Sequence, residues 1–195
     1  MLPGQRKWWD LPNYYKLLVG GYGSGKTHIG AMRSIYLSHA NSGLPGQYVS
    51  PSYPMAEKTI VMTLKDILTR SEIDYKYHET KHKFHIRNWN GHIWIGSGEK
   101  PDSLKGANLA WGGIDEPFIQ KQDVFKQMTA RIRHPEASQS ELFFTGTAES
   151  LNWGHTLVNE NKIEIGYVVS FTLEKPYMPQ EYKDNLSASY TAEEI

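Results

Sequence analysis

Gly20-Gly21-Tyr22-Gly23-Ser24-Gly25-Lys26-Thr27 is the stretch on which the fold turns. It fits G-x-x-x-x-G-K-[ST], the loop that holds the phosphates of a nucleoside triphosphate. Its flanks fit as well. Tyr15-Lys16-Leu17-Leu18-Val19 is an apolar run suited to a buried strand. His28 to Ser38 places Ile29, Met32, Ile35 and Tyr36 at helical spacing, interrupted only by Gly30. Strand, glycine loop and helix are what the chemistry needs. Gly21, Gly23, Ser24 and Gly25 let successive backbone N–H groups turn toward phosphate, and the helix N-terminus adds partial positive charge. Lys26 can reach the β- and γ-phosphates, and the Thr27 hydroxyl can ligate Mg²⁺.

The bulk composition narrows the class. The chain has 195 residues, enough for one domain of generous size or one plus the start of another. It contains no cysteine, so neither disulfides nor a thiolate metal site can form. Its apolar runs are far shorter than a membrane span, and Met1 to Lys7 lacks the apolar core of a signal peptide. A cytosolic protein with no membrane partner is expected. The 21 basic and 21 acidic residues cancel, so contact with nucleic acid must come from a local patch or an assembly.

Apolar runs alternate with helical patterns along the chain, the sign of an α/β fold with a mostly parallel sheet. Gln47-Tyr48-Val49-Ser50 reads as a second strand, and Met55 to Arg70 as a helix with Ala56, Ile60, Leu64, Ile67 and Leu68 on one side. The period then changes. Tyr75 to His78 and Lys83 to Arg87 alternate, Asn90-Gly91 is a hairpin signal, and His92-Ile93-Trp94-Ile95 returns as a strand. Leu109 to Ile114, Glu141 to Thr145 and Ile163 to Leu173 read as strands, and Phe118 to Arg133 as a helix. Pro176, Pro179 and the polar tail from Gln180 to Ile195 read as a linker.

Two further landmarks carry chemistry. Ala110-Trp111-Gly112-Gly113-Ile114-Asp115-Glu116 is an apolar strand ending in two carboxylates, the Walker B pattern. Asp115 can hold Mg²⁺, mostly through its water shell, and Glu116 can polarise the attacking water. The pair favours hydrolysis over phosphoryl transfer to a small molecule. Strands lying between the two motifs favour the ASCE, RecA-like branch, in which an extra strand separates them in the sheet. Thr145-Gly146-Thr147, followed by Asn152-Trp153, ends the next strand and can set hydroxyls of Thr145 and Thr147 near the γ-phosphate.

These landmarks, in this order over nearly the whole chain, resemble the ATPase domain of the large terminase subunit of tailed bacteriophages. Leu2-Pro3-Gly4-Gln5 is similar to the family's adenine-reading motif, with Gln5 on the base. Leu104-Lys105-Gly106 precedes Walker B as in the family, and Thr145 to Trp153 is similar to its coupling motif. Glu174 to Tyr182 resembles the exit toward a nuclease domain. The resemblance implies an ATPase domain over residues 1–175 and a linker over 176–195 toward a C-terminal nuclease domain absent from this chain. It implies ATP and Mg²⁺ as ligands and ATP-driven movement of double-stranded DNA into a procapsid. It further implies a homo-oligomeric ring, a pentamer on the portal protein, served by a small terminase subunit in the host cytoplasm. Other DNA-dependent motors of helicase type, and a nucleotide-gated assembly module, are the alternative readings.

Two features depart from the family. The variable P-loop positions Gly21, Tyr22, Gly23 and Ser24 include no arginine, so none acts there in cis. Where the family often reads Leu-Arg-Gly, this chain has Lys105, a point charge without a bidentate fork. Lys105 is the candidate finger into a neighbouring subunit, with Arg131 and Arg133 in reserve. A third motif is a decoy. His78-Glu79-Thr80-Lys81-His82 fits the zinc signature H-E-x-x-H, but its flanks have period two, so a solvated hairpin is expected rather than a metal site.

Overall fold

The structure, a computed structural model, describes residues 1–21, 23–147, 153, 163–170 and 179–189. Tyr22, Ala148, Glu149, Asn152, residues 171–178 and residues 190–195 therefore lie outside the described residues.

The alternating apolar strands come together as one eight-stranded sheet in the order β3-β4-β5-β2-β6-β7-β1-β8. The strands are β1 (Tyr15–Gly20), β2 (Pro45–Ser50), β3 (Tyr75–His78), β4 (Lys83–Ile86), β5 (Gly91–Ser97), β6 (Trp111–Asp115), β7 (Leu142–Gly146) and β8 (Ile165–Ser170). Pairings among β5, β2, β6, β7, β1 and β8 are all parallel. β3 and β4 extend that sheet antiparallel from β5. The hairpin at Asn90-Gly91 forms as read, with Asn90 in the left-handed conformation. The P-loop strand β1 and the Walker B strand β6 are separated by β7. This is the extra intervening strand that the order of motifs implied.

Period-two alternation sends successive side chains to opposite faces. Leu18, Tyr48 and Phe143 face one side, where α2 (Lys26–Ala40), α3 (Tyr53–Ala56), α4 (Met62–Arg70) and α1 (Pro3–Trp9) pack. Leu17, Val49 and Phe144 face the other, under α5 (Gln122–Arg131). α3 and α4 form one rod joined by a π-helical stretch, Glu57–Val61, much as the helix read over Met55 to Arg70. α1 carried no helical signal. It forms because Pro3 opens it at a position that needs no N–H, the Gln5 side chain caps it, and the buried Trp8 ring packs edge-on to Phe143 at 5.9 Å.

Two expected elements differ. The helix read from Phe118 begins at Gln122 instead, because Pro117–Ile119 is a 3₁₀ turn and Gln120 is extended. Within the tail read as a linker, Gln180–Ser189 is helical (α6).

Opposite the P-loop end of the sheet sits a buried cluster of charge. The Arg33 guanidinium grips both oxygens of Glu141, at 2.7 and 2.5 Å, and Lys16 lies 3.2 Å from the same carboxylate. The rings of Trp9 and Tyr36 flank the guanidinium at 4.8 and 5.0 Å. Two buried cations share one anion, and burial, with the charge of Arg33 also contributing, lowers the Lys16 pKa despite Glu141. Glu141→Gln leaves both cations without countercharge and should cost about 3–5 kcal/mol of stability, read by urea denaturation. A loss under about 1 kcal/mol would mean the cluster is not the bolt between β1, β7 and α2.

Candidate active site

The site lies at the C-terminal ends of β1, β7 and β6, where parallel strands present their loops on the same side. Gly23 and Gly25 take positive φ of 71° and 83°, which the loop needs in order to turn into α2. The Lys26 side chain folds back into the loop and donates to the carbonyls of Gly20 and Gly21 at 2.8 and 3.0 Å. Its ammonium is also 3.9 Å from Glu116. Ser24 Oγ is buried and has no hydrogen-bond partner among the described residues.

Asp115 ends β6 with its carboxylate buried. Thr145 Oγ1 donates to Asp115 Oδ1 at 2.8 Å. The Tyr48 hydroxyl lies 2.8 Å from Thr145 Oγ1 and 3.3 Å from the same carboxylate oxygen. A hydroxyl has one hydrogen, so the short pair runs as a relay, Tyr48 to Thr145 to Asp115. Burial raises the Asp115 pKa to about 7; the nearby Glu116 charge adds to this, while the Thr145 and Tyr48 hydrogen bonds and Lys26 offset only part. A buried carboxylate in that condition is short of positive charge, as suits a ligand of a divalent cation.

Glu116 follows at φ 45°, an unusual conformation for a non-glycine residue and one that recurs at functional sites. Its N–H donates to the Thr145 carbonyl at 2.7 Å. Its carboxylate accepts the Thr147 N–H at 2.9 Å, with the Thr147 hydroxyl at 3.5 Å. The strand-end threonines thus hold both Walker B carboxylates, Thr145 on Asp115 and Thr147 on Glu116.

Most of the residues read from the sequence therefore converge: the loop, Lys26, Asp115, Glu116, Thr145 and Thr147. Gln5 joins them from α1. It is buried rather than solvated, its amide oxygen accepts the Leu2 N–H at 2.9 Å, and its NH₂ donates to the Gly25 carbonyl at 3.2 Å. One N–H and one lone pair remain unused by these contacts. Trp153 donates to the Gln120 carbonyl at 2.8 Å, and the Gln120 amide donates to the Asp115 carbonyl at 2.7 Å. That chain ties Trp153 to the Walker B strand.

Lys105 stands apart. Its ammonium is 2.6 Å from Asp102, and it lines a separate cavity of about 500 Å³ with Gln47, Trp94 and Asn108. Arg131 and Arg133 lie at the wrong end of β6, where their backbone pairs with Leu109. Six residues of near-extended chain, about 20 Å, separate that point from Asp115. The H-E-x-x-H residues are not brought together. His82 stacks on Tyr53 at 4.1 Å and reaches Glu57, while His78 ends β3 beside Lys83. Among the described residues no cluster of three His, Cys, Asp or Glu could hold a metal ion.

Tyr48 was not singled out by sequence. The signal that could have found it is Gly30, a glycine inside α2. A Cβ there would overlap the Tyr48 hydroxyl, so glycine is what admits the relay beneath the helix.

A family model described as "Terminase large subunit, T4likevirus-type, N-terminal" matches residues 17–194. Among solved structures, the large terminase of a thermophilic bacteriophage superposes with a TM-score of 0.79 at 14% identity, over 98% of this chain and 50% of that one. The same protein in complex with ATP-γ-S gives 0.77, again at 14% identity and with 98% and 50% coverage. The large terminase ATPase domain of Thermus phage P74-26 gives 0.64 at 15% identity, over 96% of this chain and 87% of that one. At these identities the likeness concerns the fold. The chain spans about half the length of the first of these proteins. No curated protein matches the sequence.

Proposed function

The chain belongs to the terminase large subunit family, as its N-terminal part, and from that premise we propose that it hydrolyses ATP to drive double-stranded viral DNA into a procapsid. One observation carries the reading: Lys26, the Asp115–Glu116 pair and the strand-end threonines meet at the ends of three adjacent strands. In this reading the loop N–H groups and Lys26 hold the phosphates. Thr27 and Asp115 would hold Mg²⁺, which supplies neutralisation of charge on the transferring phosphoryl group. Glu116 orients the attacking water, as a base must. Thr147 and Thr145 are the sensors, because γ-phosphate loss changes what their hydroxyls and the Glu116 carboxylate face. Gln5 reads adenine with its unused N–H and lone pair.

What the site lacks supports an assembly. The described P-loop has no cationic side chain besides Lys26, and Lys105 is half-exposed and outside the cluster. We assign Lys105 to the active site of a neighbouring copy in a ring, a pentamer on the portal, fed by the small subunit in the host cytoplasm. Residues 176–195 then lead toward a nuclease domain. Turnover per chain should rise with protein concentration. Mixing Lys105→Ala with Glu116→Gln should recover part of the activity, because some interfaces pair an intact lysine with an intact glutamate. Phosphate release that is independent of concentration and indifferent to Lys105→Ala would remove the trans finger.

A further inference from the structure

The far end of the sheet carries a surface that the nucleotide site does not use. The register of β3, β4 and β5 stacks two rows of side chains on one face. Lys76, His85 and His92 form the first, and His78, Lys83 and Trp94 the second. The opposite face of the same strands, with Phe84, Ile86 and Ile93, is buried in the core. The outer face holds no acidic side chain in either row. Lys76 is exposed, and the other five residues are half-buried.

Among the described residues no carboxylate neutralises the lysines of this face. Arg87 pairs with Asp74 and Lys105 with Asp102 nearby, but among the described residues Lys76, His78, Lys83, His85 and His92 make no ion pair with a carboxylate. The groups crowd one another. The His85 and His92 rings stack at 5.0 Å and 11°. Partial burial first, then His85 and Lys83, lower the His92 pKa. His78 is lowered too, by slight desolvation first and then by Lys76, Lys81 and His85. In a chain with net charge zero, Lys76 and Lys83 are thus cations set among neutral imidazole N–H donors with no carboxylate in either row.

We propose that the outer face of β3, β4 and β5 is where this chain touches the phosphate backbone of duplex DNA, with Lys76 and Lys83 as its principal charges. The proposal rests on the DNA-moving function above and names its contact surface. A pleated face of lysines and imidazoles offers point charges and N–H donors, which suit phosphate oxygens and read no sequence. Lys83 also decides between duplex and single strand. Its ammonium lies 3.6 Å over the Trp94 ring and occupies the aromatic face on which an unpaired base would stack. A motor that must advance over any sequence needs a grip of this kind.

The test is fluorescence anisotropy of a labelled duplex of mixed sequence, titrated with the chain over a salt series. Lys76→Gln/Lys83→Gln should lower affinity on the order of 10- to 100-fold at 0.1 M salt. It should also flatten the dependence of log affinity on log salt by about 2, one unit per lysine. Lys76→Arg/Lys83→Arg should keep affinity and slope, and ATP hydrolysis without DNA should be unchanged in both. A parent chain that binds no duplex at low salt defeats the DNA-moving function itself, and this surface with it. A parent that binds, with the glutamine variant matching it in affinity and slope, defeats only the surface and leaves the function standing.

Discussion

Glu116→Gln is expected to bind ATP like the parent and to lose turnover by on the order of 10²- to 10⁴-fold, the range for removing a positioned general base. The substitution is well matched to the site. An amide oxygen can still accept the Thr147 N–H that the carboxylate accepts at 2.9 Å, so the turn at φ 45° keeps its anchor. What disappears is the charge that faces Lys26 at 3.9 Å and that, in the proposed mechanism, orients water. Equilibrium binding of a fluorescent ATP analogue separates the two effects from phosphate release. A variant that turns over at near the parent rate would place the catalytic carboxylate elsewhere.

Lys26→Ala should remove both binding and turnover, with turnover lowered by at least 10²- to 10³-fold, as when one fixed stabiliser of developing charge is lost. Two structural consequences accompany the chemical one. The Gly20 and Gly21 carbonyls lose the ammonium, Gly21 keeping the Ser24 N–H at 3.2 Å, which costs about 1–3 kcal/mol if water does not replace it. Glu116 loses its cation. Because Lys26 now sits on its own loop, the proposed role requires ATP to draw the ammonium from those carbonyls to the phosphates. The loop therefore rearranges on binding, and hydrogen exchange at residues 20–27 should slow when ATP is added. Lys26→Ala that keeps parent-like ATP affinity would contradict this.

The sequence made some of this legible and hid the rest for definite reasons. The P-loop, the Asp115–Glu116 pair and Thr145-Gly146-Thr147 are local patterns whose meaning comes from standing at strand ends, and apolar runs reveal strand ends. The Tyr48 relay is hidden because its partners lie 67 and 97 residues away, and a tyrosine within an apolar strand reads as core. Lys16 and Arg33 hide for the converse reason. A charge within a strand or helix reads as a surface position, and only the fold brings Glu141 to both. The late start of α5 at Gln122 was invisible because Gln120 is held extended while its amide bonds the Asp115 carbonyl, a contact no helical period encodes. The basic face of β3 to β5 was half legible. Its lysines and histidines could be counted, but their alignment in two rows depends on the register.

The most direct measurement is ATP turnover by the chain with and without linear double-stranded DNA, at a protein concentration that permits self-assembly. The account predicts Mg²⁺-dependent hydrolysis that rises severalfold with duplex DNA and vanishes in Glu116→Gln under both conditions. Turnover that is insensitive to DNA, or that persists in Glu116→Gln, would contradict it.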